Sequence, residues 1–120
     1  MSIRWKRAYA PAEDADGYRV LVDRLWPRGM KRDQLKLNAW LPDVAPSAAL
    51  REWFGHAPDK WPEFRRRYLA ELADRQAALA NLASRARAEQ VTFIYAAKDE
   101  QFNNAVVLKE YLERMMATEP

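Results

Sequence analysis

The residues best equipped for chemistry fall in three short words. Val22-Asp23-Arg24-Leu25-Trp26-Pro27-Arg28-Gly29 follows a β-branched apolar run and sets an acid beside two arginines. A guanidinium is a planar fork that matches phosphate or carboxylate oxygens. Arg24 and Arg28 therefore suit an anionic ligand, and Trp26 suits a stacking wall. Asp23 suits a general base or a carboxylate that orients an arginine. The same residues would also serve a structural pairing of Asp23 with Arg24 or Arg28, with Trp26-Pro27 plugging a turn.

The second word, Ala96-Ala97-Lys98-Asp99-Glu100-Gln101-Phe102-Asn103-Asn104, ends at a helix start, where free N–H groups and the dipole favour an anion. Lys98 supplies charge, Asp99 a candidate base, and Asn103 and Asn104 hydrogen bonds. Ordinary capping by Asp99 or Asn103 competes with that reading. The third word, Trp53-Phe54-Gly55-His56-Ala57-Pro58, holds the sole histidine behind a glycine of C-cap type. A loop imidazole titrates near neutrality and can move protons, and it serves equally as a helix-end partner. The candidate catalytic residues are thus Asp23, Asp99 and His56. The candidate ligand-binding residues are Arg24, Trp26, Arg28, Lys98, Asn103 and Asn104, and no metal ligands are expected.

Two strands must carry the first two words. Tyr18-Arg19-Val20-Leu21-Val22 and Val91-Thr92-Phe93-Ile94-Tyr95 are short, largely apolar runs, as in strands of a parallel sheet covered on both faces. A further strand is predicted at Ile3–Lys6 from period-two alternation, joined to the second by the turn-like loop Pro11–Gly17. Ser47 is placed to N-cap a helix carrying Leu50, Trp53 and Phe54 at i, i+3 and i+4. Apolar residues at helical spacing from about Lys60 to the mid-80s predict one long helix, or two broken near Asp74. A last helix is predicted from about Asn103 to Met116. In open α/β sheets ligands bind beyond the carboxyl ends of strands, which points to the loops Asp23–Gly29 and Lys98–Asn104.

Composition narrows the field further. A chain of 120 residues suits one domain over 1–120. It has no cysteine and one histidine, which excludes a disulfide scaffold, a thiolate nucleophile and a His-rich metal site, and fits a reducing compartment. A cytoplasmic protein without a membrane segment is expected, since no apolar run approaches the roughly 20 residues needed to cross a bilayer. Three glycines, at 17, 29 and 55, form no phosphate-cradling loop, so no nucleotide cofactor of the usual kinds is expected. Net charge is +3, and 14 of the 20 basic residues are arginine. That balance suits a small anionic partner and is mild for strong nonspecific nucleic-acid binding. The basic, aromatic run Glu63-Phe64-Arg65-Arg66-Arg67-Tyr68 reads as a helix with a solvated arginine face over a buried ring stripe.

Taken together, Val20 to Gly29, then Trp40 with Ala45-Pro46-Ser47, Leu50 to His56, Tyr95 to Asp99 and Asn103 to Leu108 resemble the domain-of-unknown-function 488 family in its YeaO-like branch. The words run in the right order over nearly the whole chain. The resemblance implies a small three-layer Rossmann-like α/β domain, with a short, mostly parallel sheet of three to four strands flanked by helices. It also implies that Asp23, Arg24, Trp26, Arg28, Trp53, His56, Asp99 and Asn104 occupy the family's motif positions. The family often carries a histidine near the stretch filled here by Gln101-Phe102-Asn103, and this chain has none. If that histidine is needed for chemistry elsewhere, this protein binds without turnover. Two functional readings follow: a site for a small phosphate- or carboxylate-bearing ligand, a nucleotide among the options, or a non-catalytic module that contacts nucleic acid or protein through a basic, tryptophan-rich face.

Overall fold

The computed structural model describes residues 2–118. Its elements run β1 (Ile3–Arg7), β2 (Tyr18–Leu21), α1 (Arg32–Leu35), β3 (Ala39–Trp40), α2 (Ala48–Phe54), α3 (Trp61–Leu72), α4 (Gln76–Ala88), β4 (Val91–Tyr95) and α5 (Asn104–Thr118). The four strands form one all-parallel sheet in the order β1-β4-β2-β3. Its register pairs Ile3 with Val91 and Arg7 with Tyr95 on one side of β4, and Tyr18 with Val91 and Leu21 with Ile94 on the other. The last strand in the chain is thus central, and β1 and β2 meet only through it.

The α/β class, the parallel sheet and the small Rossmann-like layering expected from the sequence are all present, though the two covering layers are unequal. Ile3, Val20, Val22, Val91, Phe93 and Tyr95 face one core together with Leu50, Phe54, Phe64, Tyr68, Leu79, Leu108 and Leu112 of the four longer helices. Their neighbours in the strands, Leu21 and Ile94, face the other way and join Ala8 and Leu35, with Trp26, Met30 and Leu37 packed against them. Successive strand side chains alternate between faces, so the near-continuous apolar runs of β2 and β4 supply both cores. The second layer is only the single turn α1 and the loop around it.

Local signals act where expected. Ser47 Oγ accepts from Leu50 N at 3.1 Å, and Gly55 ends α2 with φ 52°. The long periodic stretch is two helices, since the turn at residues 73–75 separates α3 from α4. Phe64 and Tyr68 are buried, while Arg66 and Arg67 both bond Glu63 and Arg65 bonds Glu110 of α5. Phe54 is in the core, but Trp53 is half-buried, and its ring is covered by the Arg67 guanidinium at 4.2 Å. Among the described residues, no helix is long and apolar enough to cross a membrane.

The turn-like loop Pro11–Gly17 holds the most densely bonded charges. Asp16 is 3 % exposed and Arg19 4 %. The Arg19 guanidinium donates to Asp16 at 2.6 Å and to the Leu35 carbonyl at 2.8 Å, and the Lys6 ammonium reaches Asp16 at 3.0 Å. Burial alone would raise the Asp16 pKa. The Glu13 amide and the two cations outweigh it and hold the carboxyl below its ordinary value. Gly17 follows with φ +64°, and a Cβ there would lie 2.4 Å from the Gln90 carbonyl oxygen. Only glycine lets β2 start this close to the entry of β4.

Candidate functional site

The carboxyl ends of β2 and β4 meet at one side chain. Val22 extends the ladder by donating to Ile94 O at 3.0 Å, which delivers Asp23 opposite Ala96. Asp23 Oδ2 accepts the Ala96 N–H at 2.9 Å, and Oδ1 accepts from Asn104 Nδ2 at 3.0 Å. The same Asn104 amide donates to Val22 O at 3.0 Å, and Trp40 Nε1 donates to the Asp23 carbonyl at 2.8 Å. One residue therefore ties together the exits of two strands, the first residue of α5 and the edge strand β3.

Asp23 makes no ion pair within 4 Å among the described residues. Burial raises its pKa above the ordinary carboxylate value, and the Ala96 amide, the Asn104 amide and the charges of Arg51 and His56 offset this only in part. The Arg51 charge that acts on Asp23 thus comes from α2, and His56 stands just beyond that helix. Arg51 and His56 are both exposed, and neither side chain has a hydrogen-bond partner among the described residues. Gly55 and His56 both take left-handed φ, 52° and 58°. Such a backbone costs an L residue roughly 1–2 kcal/mol that glycine would not incur. The imidazole lies beside Phe54, with ring centroids 6.1 Å apart.

The other candidates are spread over separate surroundings. Arg24 turns to the carbonyls of Pro46 and Ala45, at 3.3 and 3.4 Å, and lines a surface hollow of about 310 Å³ with Asp43, Asp74, Arg75 and Gln76. Trp26 donates to Met30 O at 2.7 Å and meets Trp40 edge-on at 5.6 Å, so it belongs to the thin second core. Arg28 is exposed, and its carbonyl accepts from Tyr9 Oη at 2.9 Å. Asp99 Oδ1 accepts the N–H groups of Phe102 and Gln101 at 2.9 Å, and these bonds lower its pKa. Asn103 Oδ1 accepts from Val106 N at 3.1 Å, and its amide donates to Asp99 O at 2.9 Å. Asp99 and Asn103 thus do capping work at the head of α5. Lys98 is exposed and without a side-chain partner among the described residues.

The expected gathering of Arg24, Arg28 and Asp99 around one hollow is replaced by a smaller set: Asp23 and Asn104 at the strand ends, with Arg51 and His56 above them. Arg51 is not among the sequence candidates, although it stands five residues before His56. A second hollow, of about 240 Å³, is lined by Glu13, Asp14, Arg19, Lys36 and Asn38, and neither hollow includes Asp23. No group of three or more His, Asp and Glu side chains among the described residues is arranged to hold a metal.

Comparison with known proteins gives a consistent picture. The family DUF488-N3i, described as "Inactive DUF488-N3 subclade", matches residues 2–120. The protein YeaO of Escherichia coli K12 is 44 % identical over 115 residues, covering 96 % of this chain and all of that protein. Mb3100c of Mycobacterium bovis and Rv3073c of Mycobacterium tuberculosis are each 42 % identical over 110 residues, 92 % of both chains. All three carry the description "uncharacterized". No solved structure matches the chain. With the family model matched over residues 2–120 and YeaO 44 % identical over 96 % of the chain, the chain belongs to the DUF488 family, in its YeaO-like branch.

Proposed function

We propose that the protein binds a small phosphate- or carboxylate-bearing ligand at the carboxyl ends of β2 and β4, without turning it over. The observation that carries this reading is the placement of Asp23. It is a partly buried carboxylate held by Ala96 and Asn104, with the Arg51 guanidinium of α2 acting on it, His56 just beyond that helix, and no ion pair closing the group off. Arg51 and His56 have donors free for an anion. Asp23 uses one lone-pair direction on each oxygen, leaving others for a ligand hydroxyl or amino group. The ligand is therefore an anion that also carries a hydrogen-bond donor.

Binding without turnover is supported by the absence of a histidine in Gln101-Phe102-Asn103 and by the word "Inactive" in the description of the matching family. Asp99, the other candidate base, is occupied by two backbone amides.

The test is a thermal-shift screen of phosphorylated metabolites, nucleotides and hydroxy acids against wild type, Arg51→Ala and Asp23→Asn. A ligand at about 100 times its Kd stabilises by about 2.7 kcal/mol. The expected result is a ligand-dependent rise in Tm that is lost in Arg51→Ala and reduced in Asp23→Asn. A panel with no shift, or a shift that survives Arg51→Ala, removes this reading.

A further inference from the structure

We propose that the β2–β3 connection is a contact surface for single-stranded nucleic acid, separate from the Asp23 site. The argument starts from where the charge lies. Residues 28–36 hold Arg28, Lys31, Arg32 and Lys36 against Asp33, a formal balance of +3, which equals that of the whole chain. All of the remaining sequence therefore sums to zero. Arg28, Lys31, Arg32 and Lys36 are exposed. Arg28, Lys31 and Arg32 form no ion pair among the described residues, and Lys36 stands at the hollow that also holds Glu13 and Asp14.

The cations of the helical layer behave differently. Arg66 and Arg67 are neutralised by Glu63, Arg85 by Glu89, Lys109 by Glu113, and Arg65 and Arg114 by Glu110. Most cations of α3, α4 and α5 are thus paired within the fold, with Arg51 of α2 set apart at the Asp23 site, while the charge of the thin layer is left facing solvent.

Rings share that surface. Tyr9, Leu25 and Trp40 are 44 %, 57 % and 41 % exposed. Their polar edges are already bonded within the fold: Tyr9 Oη to the Arg28 carbonyl, and Trp40 Nε1 to that of Asp23. The Arg7 guanidinium lies over the Tyr9 ring at 5.1 Å and Trp26 meets Trp40 edge-on at 5.6 Å, and what remains accessible is the rest of the ring surface and the Leu25 side chain, fixed in place by those contacts. Stacking faces beside unpaired cations are the combination that grips an unpaired strand. Duplex readout would need an element long enough for a major groove about 12 Å wide, and the exposed helix here, α1, has four residues. An acidic peptide would engage the cations but leave the ring faces unmatched.

Fluorescence anisotropy with labelled thymidine and uridine single strands of about 12 nucleotides tests the proposal. The parallel probes are an abasic strand, a duplex and a poly-glutamate peptide of equal length. Three phosphate contacts predict that log Kobs falls against log salt with a slope of about −2. The abasic strand binds about 5- to 100-fold more weakly, because stacking is lost. A variant with Arg28, Lys31 and Arg32 all changed to Gln, exposed positions without side-chain partners, loses the salt slope and binds at least about tenfold more weakly. The matching Gln variant at Arg65, Arg66 and Arg67 keeps both. No binding at low salt overturns the proposal. So does equal binding of poly-glutamate or the abasic strand, binding stronger to duplex, or equal loss in the α3 variant.

Discussion

Strand β2 is bracketed by two carboxylates that the chain treats in opposite ways. Before it, Asp16 is deeply buried, yet Lys6, Arg19 and the Glu13 amide satisfy it and hold its pKa down. After it, Asp23 is tied by two amide donors and no cation within salt-bridge distance, and burial lifts its pKa. The first acid is a fastener, since its charge is matched on the spot. The second is held in position but electrically unfinished, with Arg51 and His56 near enough to act on it and still open to solvent. A charged group whose partners are complete has little left to offer a ligand, and one whose partners are incomplete does. The contrast sets a completed carboxylate and an incomplete one at the two ends of a four-residue strand.

Breaking the amino end should give the largest effect. Asp16→Ala strands the Arg19 guanidinium in a buried position. Removing one partner of a buried pair costs about 3–5 kcal/mol, read as a lower denaturant midpoint at unchanged m-value. At the other end, Asp23→Ala leaves the Ala96 N–H and the Asn104 amide without their acceptor and costs about 1–3 kcal/mol. Asp23→Asn keeps one of the two acceptors and turns an NH2 toward the other donor, but it also removes a partly buried charge, so its cost is smaller, below about 1 kcal/mol. If Asp23→Asn is as damaging as Asp23→Ala, the carboxylate is a fastener too and the contrast fails.

The two acids also have opposite pH signatures. Asp16, with its pKa depressed, contributes stability that is present above the unfolded value near 3.8 and is lost as pH falls through the folded value below it. Asp23, with its pKa raised, weighs against the fold while ionised, and this cost is relieved as pH falls through a folded value above 3.8. Acidification from neutrality should therefore raise the stability of wild type relative to Asp23→Asn, which has no carboxyl to protonate, whereas an Asp16→Asn variant should lose its disadvantage only below the unfolded value. The smallest effect is expected at His56. His56→Gly removes the cost of a left-handed side chain but adds chain entropy, so stability changes by less than about 1 kcal/mol. Ligand shifts that Arg51→Ala abolishes should weaken in His56→Gly as well.

Much of the scaffold is legible before folding because its signals are local. The apolar runs of β2 and β4, the Ser47 cap, the Gly55 stop and the ring stripe of α3 each depend on neighbours a few residues away. The break near Asp74 is likewise a local loss of periodicity. Strand β3 leaves no such trace: two residues, Ala39 and Trp40, carry no alternation, and they become a strand only because β2 offers an open edge. The site is less legible than the scaffold for the same reason. Asp23, Asn104 and His56 were singled out by residue type, but their grouping with Arg51 depends on where α2 packs. Arg24 and Arg28 stand closest to Asp23 in sequence, yet neither pairs with it, since Arg24 turns to the Ala45 and Pro46 carbonyls and Arg28 lies on the open surface. Asp16 sat within a segment that looks like an ordinary polar turn, and only the approach of Lys6 and Arg19 reveals its burial.

The strand order carries a consequence for how the molecule comes into being. The partners of Ile3 and Tyr18 are both Val91, so over the first ninety residues β1 has no partner strand and β2 has only the two-residue β3. Closing contacts across that separation is slow relative to local helix formation. The helices should therefore gather first around an unfinished core, and insertion of β4 should be the late step that locks it. A chain stopped before residue 91 would keep most of its helices and, of its sheet, only the short β2–β3 pairing. Such a fragment would expose the apolar sides of β1 and β2 together, a surface prone to self-association.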